Sequence, residues 1–174
     1  GHATADAIGV PVEFTKRQRL KENPVTGVRE FGTYSQPAGT WSDDTSLTIA
    51  AMESMAQLKK IDYADILKNF WLWYSESKFT ANDETFDCGN TTATAIGNFK
   101  RGTPPLECGP NQEFASANGS LMRISPVAIY IYMTRGNNFD AETFEIVHNF
   151  SSMTHRNLRC LIACGVYCLV AAEI

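Results

Sequence analysis

A chain of 174 residues, 44% of them hydrophobic and 20% charged, fits one domain with material for a buried core. Its net charge of −4 and pI near 5.4 exclude a general nucleic-acid binder, which needs a basic face to neutralise phosphates. Nucleotide ligands stay open, because backbone N–H groups or a metal hold phosphate without net positive charge.

The elements follow in chain order. The opening, from Asp6 through Gly9 and Pro11 to Glu13, reads as a short helix ended by glycine and proline, with Glu13 on the turn that follows. Asp6 is an acid in an Ala/Ile-rich stretch, and if buried it needs a partner. Val25 to Tyr34 alternates weakly, with Gly27 and Gly32 interrupting, so no firm strand is predicted. Leu47, Ala50, Ala51, Ser54, Met55 and Leu58 then form one stripe of an amphipathic helix. Tyr63 to Tyr74 repeats that spacing behind Asp62, a predicted N-cap. A third helix covers Thr91 to Lys100 and stops at Gly102 and the Pro104-Pro105 pair.

Residues 103–120 form a connection long enough to suggest a binding loop. A fourth strong helix opens at Ser125-Pro126, read as N-cap and first helical position, and closes near Gly136-Asn137. Asp140 to Phe150 and Asn157 to Ala172 supply two more. Cys160, Cys164 and Cys168 share one stripe of the last helix and read as small apolar residues at a helix–helix contact. That helix is apolar around much of its circumference and is a predicted surface for association. The prediction is an all-α fold in a single domain spanning 1–174.

Five cysteines without a CxxC pair argue against a disulfide framework. There is no signal-peptide pattern after Gly1-His2. No apolar run approaches the roughly 20 residues of a membrane span. The expectation is a cytoplasmic protein with reduced thiols.

Three clusters carry chemistry. Ser42, Asp43, Asp44 and Thr45 stand consecutively before the first strong stripe. One such side chain suffices to cap a helix; two adjacent carboxylates repel, and a hard cation such as Mg²⁺ or Mn²⁺ between them relieves the repulsion. Glu13 is the second candidate. Asn118-Gly119-Ser120-Leu121-Met122-Arg123 is the third, where small residues let backbone N–H groups approach a phosphate. His155, between two helices, reads from its position as a structural histidine.

The order of G-H-A-T-A-D-A-I-G-V-P-V-E-F, P-A-G-T-W-S-D-D-T, F-D-C-G-N-T-T, N-G-S-L-M-R-I-S-P and S-S-M-T-H resembles the ADP-ribosylglycohydrolase family, from Gly1 to about His155. The resemblance implies an orthogonal helical bundle around a cleft with a pair of Mg²⁺ ions, Mn²⁺ being a possible substitute. It implies Glu13, Ser42, Asp43 and Asp44 as metal ligands, with Glu13, Asp43 and Asp44 at the reacting centre. Gly89, Asn118, Gly119, Ser120, Met122 and His155 become ligand-binding positions. The implied substrate is an ADP-ribosylated protein or an ADP-ribose-containing small molecule. The family's later aspartate-x-aspartate-threonine motif has no counterpart up to Ile174. The chain is therefore expected to be the amino-terminal part of a hydrolase, with a non-catalytic ADP-ribose binder or structural relative as the alternative.

Overall fold

The computed structural model describes residues 1–136 and 138–173; Asn137 and Ile174 lie outside the described residues. Among the described residues the regular structure is helical, with eight α-helices: α1 (His2–Gly9), α2 (Arg17–Glu22), α3 (Asp43–Leu58), α4 (Tyr63–Glu76), α5 (Asn90–Lys100), α6 (Ser125–Arg135), α7 (Ala141–Ser152) and α8 (Leu158–Glu173). Val25 to Tyr34 forms irregular loop.

The ends follow local chemistry. The Asp62 side chain caps α4 by accepting from Asp65 N at 3.1 Å, as its spacing predicts. Asp140, predicted inside a helix, instead caps α7 by accepting from Thr143 N at 2.9 Å. Ser125 corrects the sequence reading by one position. It is the first residue of α6, Ile124 occupies the N-cap, and Pro126 still falls in the first turn, where its missing N–H costs nothing. The connection at 103–120 is not featureless, since Pro105–Glu107 and Glu113–Ala115 each form a single 3₁₀ turn.

Helices α3 and α4 form a hairpin, and α6 and α7 both pack on α8. Their inward stripes make one core, including Leu47, Ile66, Phe70, Trp73, Ile96, Ile131, Val147 and Phe150. Cys160, Cys164 and Cys168 are buried on the inner stripe of α8, where small side chains let the helices approach. The outer stripe, with Leu158, Ile162, Val166 and Val170, is exposed. Among the described residues no helix is long and apolar enough to cross a membrane.

Arg123 is the exception in the core. Its guanidinium is fully buried between the rings of Phe70 and Phe150, with centroid distances of 4.8 and 4.9 Å. Nη2 donates to Thr154 Oγ1 at 2.6 Å, while Nε and Nη1 find no partner. Burial lowers its pKa to about 10.

Candidate active site

The start of α3 is fastened by a neighbour from α1. Asp6 accepts from Ser42 N at 3.0 Å, Ser42 Oγ at 2.8 Å, Thr45 N at 3.1 Å and Thr45 Oγ1 at 2.6 Å. Those bonds satisfy first-turn donors that a helix leaves orphaned. Ser42 is the N-cap, its Oγ accepting from Asp44 N at 3.4 Å. With the turn so fixed, Asp43 and Asp44 project from a rigid element.

Glu13 is delivered by the turn after α1. The 3₁₀ turn Val10–Val12 ends there, and Phe14 takes a left-handed φ of 57°. A non-glycine residue in that region costs on the order of 1 kcal/mol, so the turn needs outside support. Thr33 supplies it: its N–H donates to Pro11 O at 3.2 Å and its Oγ1 to Glu13 O at 2.6 Å. Gly32 makes that docking possible, because a Cβ there would lie 1.7 Å from Pro11 O.

The opposite wall comes from three further segments. Gly89 caps α5 without a side-chain bond, leaving first-turn N–H groups for the cleft. Asn118 and Gly119 end the long loop, and His155 lies just past α7. Gly119 sits so close that a Cβ would be 2.7 Å from His155 Cε1 and 3.0 Å from Thr92 Oγ1. Gly109 holds the loop on the α7 end through its N–H to Ser152 O at 3.2 Å.

One cavity of about 250 Å³ gathers Glu13, Asp43, Asp44, Gly89, Asn118, Gly119, Met122 and His155, along with Phe14, Asp87 and Thr92. Ser42 lines an adjoining cavity of about 280 Å³ with Asp6, Glu13, Asp44 and Asp87. The Ser120 side chain lines neither. It is buried, its hydroxyl accepting from Ser151 Oγ at 2.8 Å and from Cys164 Sγ at 3.5 Å, so it fastens the loop to the core.

Asp87 is the residue that sequence reasoning passed over. It stands inside the F-D-C-G-N-T-T stretch, and its solitary acid before a glycine was the available signal. Tyr34, which no pattern marks, donates a short hydrogen bond to it. Asp87 joins Glu13, Asp43 and Asp44 to make four carboxylates around one cavity.

Electrostatics follow from that crowding. Burial first, then the charges of Asp87, Asp44, Asp6 and Glu13, push Asp43 up to about 9. Burial, and a hydrogen bond that protonated Glu13 donates to Asp87, raise Glu13 to about 7. Burial and Asp6 raise Asp44 to about 6. His155 moves the other way, to about 3, because burial and the nearby Arg123 both disfavour imidazolium. Thr154 Oγ1 accepts from Arg123 and also contacts His155 Nδ1 at 2.8 Å, which fixes the ring with Nε2 beside Gly119 at the cavity.

The donor set suits a hard divalent cation. The four carboxylates are oxygen donors, and among the described residues no lysine or arginine lines the cavity to neutralise them. Among the described residues no three His, Cys, Asp or Glu side chains close on a single point as a finished cage.

The family model for ADP-ribosylglycohydrolase matches residues 1–174. The chain belongs to the ADP-ribosylglycohydrolase family. An ADP-ribosylarginine hydrolase, Tri1, from Pseudomonas putida (strain GB-1) is 30% identical over all of this chain and 44% of its own length. The ADP-ribosyl-[dinitrogen reductase] glycohydrolase of Rhodospirillum rubrum is 29% identical over 86% of this chain and 49% of its own. A solved ADP-ribosylglycohydrolase-related protein complex superposes with a TM-score of 0.78 at 24% identity, covering 99% of this chain and 52% of that one. The helical architecture is thus the ADP-ribosylglycohydrolase fold. The chain spans about half the length of the relatives it matches.

Proposed function

We propose that this chain supplies the acidic half of a magnesium-dependent hydrolase that cleaves the N- or O-glycosidic bond joining ADP-ribose to a protein side chain or a small molecule. The observation that carries the reading is the single cavity in which Glu13, Asp43, Asp44 and Asp87 face Asn118, Gly119 and His155. One wall is built for a cation and hydroxyl groups, the other for a phosphorylated ligand.

Glu13, Asp43 and Asp44, with Ser42 beside them, are the residues that would hold Mg²⁺ or Mn²⁺. Bound there, the ion supplies Lewis acidity, ribose orientation and a lowered pKa for water. The protein's own groups do the rest. Glu13, facing the cavity beside Asp44 and Asp87, is the carboxylate placed to take a proton from water as it approaches the anomeric carbon. Asp87, fixed by the Tyr34 hydroxyl, holds Glu13 in register. The free N–H groups at the start of α5 and the small residues Gly89, Asn118 and Gly119 suit the diphosphate. Met122 adds an apolar contact at the same wall, and the neutral His155 ring offers its Nε2 edge to the ligand without adding charge.

The two relatives reported above both carry hydrolase names, and nothing favours the purely binding or structural alternative. The test is thermal melting of this chain with Mg²⁺ and ADP-ribose, paired with hydrolysis of ADP-ribosylarginine by the longest natural form of the protein. A ligand at 100 times its Kd adds about 2.7 kcal/mol of stability. The expected Asp44→Ala result is a normally folded protein with no Mg²⁺-dependent shift and no turnover. Unchanged turnover in that variant sinks the proposal.

A further inference from the structure

The packing of the protein does not account for Phe14. Its backbone takes the left-handed φ of 57° that Thr33 and the close approach at Gly32 enforce, yet its side chain is 81% exposed. A ring left in water returns none of that strain as burial. Strained residues that the surrounding structure holds in place collect at ligand clamps.

The ring lines the acidic cavity together with Glu13, Asp43, Asp44 and Asp87. Tyr34 sets its orientation. The two rings meet edge-on at 6.5 Å, and Tyr34 is itself braced by Phe86 at 5.2 Å. The Tyr34 hydroxyl donates to Asp87. One half-buried tyrosine thus fixes both an open aromatic ring and a carboxylate at the edge of the same cavity. Lys78, Lys100 and Arg123 each lie over an aromatic ring elsewhere, but among the described residues no lysine or arginine lies over Phe14.

The polarity of the cleft says which end of a ligand meets that ring. Under the hydrolase reading the wall of free N–H groups at α5 takes the diphosphate, and the carboxylate wall takes the terminal ribose. The group on the anomeric carbon then leaves the cavity on the carboxylate side, past Glu13 and Phe14. Adenine lies at the other end of the ligand. An aromatic face beside a carboxylate binds a planar cation, because the ring quadrupole attracts it and the carboxylate accepts its N–H groups. A guanidinium is such a cation; the neutral oxygen of a serine link is not.

We infer that Phe14 reads the acceptor: the guanidinium of an arginine-linked ADP-ribose stacks on its exposed ring, with Asp87 accepting from the same group. The inference rests on the hydrolase reading for which ligand fills the cleft. Stacking orients the C–N bond. As that bond breaks, water gives its hydroxyl to the anomeric carbon and its proton to the released guanidinium nitrogen.

The test uses the longest natural form of the protein with Mg²⁺, and ADP-ribosylarginine, ADP-ribosylserine and free ADP-ribose as ligands. Cleavage of the two adducts is read as kcat/KM, and affinity for ADP-ribose by calorimetry. Phe14→Leu keeps an apolar side chain but removes the π face. It is expected to lose about fivefold in kcat/KM on the arginine adduct and less than twofold on the serine adduct. Free ADP-ribose, which has no acceptor, should bind it with the wild-type Kd. Phe14→Trp, with the stronger face, should keep the arginine activity. An equal loss on both adducts, no loss on either, or a Phe14→Trp as impaired as Phe14→Leu overturns the inference. So does weaker ADP-ribose binding by Phe14→Leu, which would put the adenine on the ring. If neither adduct is cleaved, the hydrolase reading fails, and calorimetry on the intact adducts decides Phe14. Tighter binding of the arginine adduct than of ADP-ribose, lost in Phe14→Leu, then keeps the inference; equal binding overturns it.

Discussion

Asp6 accepts two hydrogen bonds from Ser42, one from its backbone N–H and one from its hydroxyl, and so couples α1 to the first turn of α3. The Ser42 hydroxyl is therefore already engaged, and the projection of Asp43 and Asp44 depends on a carboxylate some 36 residues upstream. Replacing Asp6 by Ala removes the acceptor of four bonds at once. Removing a charged acceptor from part-buried donors costs about 2–3 kcal/mol. Circular-dichroism melting of Asp6→Ala should show that loss, and Mg²⁺ should no longer shift the midpoint. A variant that melts like the wild type would show the clamp to be dispensable.

Gly119 tests the ligand wall. A methyl group there meets His155 Cε1 at 2.7 Å and Thr92 Oγ1 at 3.0 Å, so either the loop or the imidazole must move. Overpacking of this kind costs about 1–3 kcal/mol. Gly119→Ala is expected to melt lower by that amount and to bind ADP-ribose at least tenfold more weakly by calorimetry. Wild-type affinity would place the ligand elsewhere.

Much of this was legible before any coordinates, for reasons of period and capping. The stripes at Leu47–Leu58 and Tyr63–Tyr74 announce α3 and α4, because burial on one helix face imposes a 3.6-residue repeat. The acids at Asp43 and Asp44 are visible because adjacent charges at a helix start exceed what capping needs. Asp87 and Tyr34 were not visible. Their importance comes from a contact across 53 positions, set by loops that have no periodicity. The core contact of the Ser120 side chain was not visible either. A small hydroxyl in a glycine-containing loop suits a ligand or a core contact equally, and its bond to Ser151 Oγ is a tertiary fact.

The carboxylate cluster sets a pH dependence. Asp43 is raised from an ordinary aspartate value to about 9, so the folded state holds its proton over a range where the unfolded state has lost it. Stability from this group is complete below about pH 4 and is lost as pH climbs towards 9. Glu13 and Asp44 act in the same direction, up to about 7 and 6 respectively. Without divalent cation the protein is expected to melt progressively lower from pH 6.5 to 9. Mg²⁺ competes with those protons, so its stabilising shift should grow over the same interval. A Mg²⁺ shift that is constant with pH would show that these acids are not its ligands.

Arg123 and His155 provide the last test, because the two share Thr154 Oγ1. The guanidinium donates to that oxygen at 2.6 Å and the oxygen contacts His155 Nδ1 at 2.8 Å. Burial is the larger cause of the low His155 pKa, about 3, and the Arg123 charge is the second. A depressed histidine favours the folded state only while neutral, so its contribution is present above pH 6.5 and is lost as pH falls towards 3. Arg123→Met removes the charge, keeps an unbranched chain between Phe70 and Phe150, and leaves no orphaned Nε or Nη1. Losing an unpaired buried cation offsets the lost bond to Thr154, so stability at pH 7 should change by less than about 1.5 kcal/mol. The imidazole, relieved of its cationic neighbour, should titrate at a higher pH by NMR while staying below the ordinary histidine range. An unchanged titration would assign the whole depression to burial and remove Arg123 from the electrostatics of the cleft.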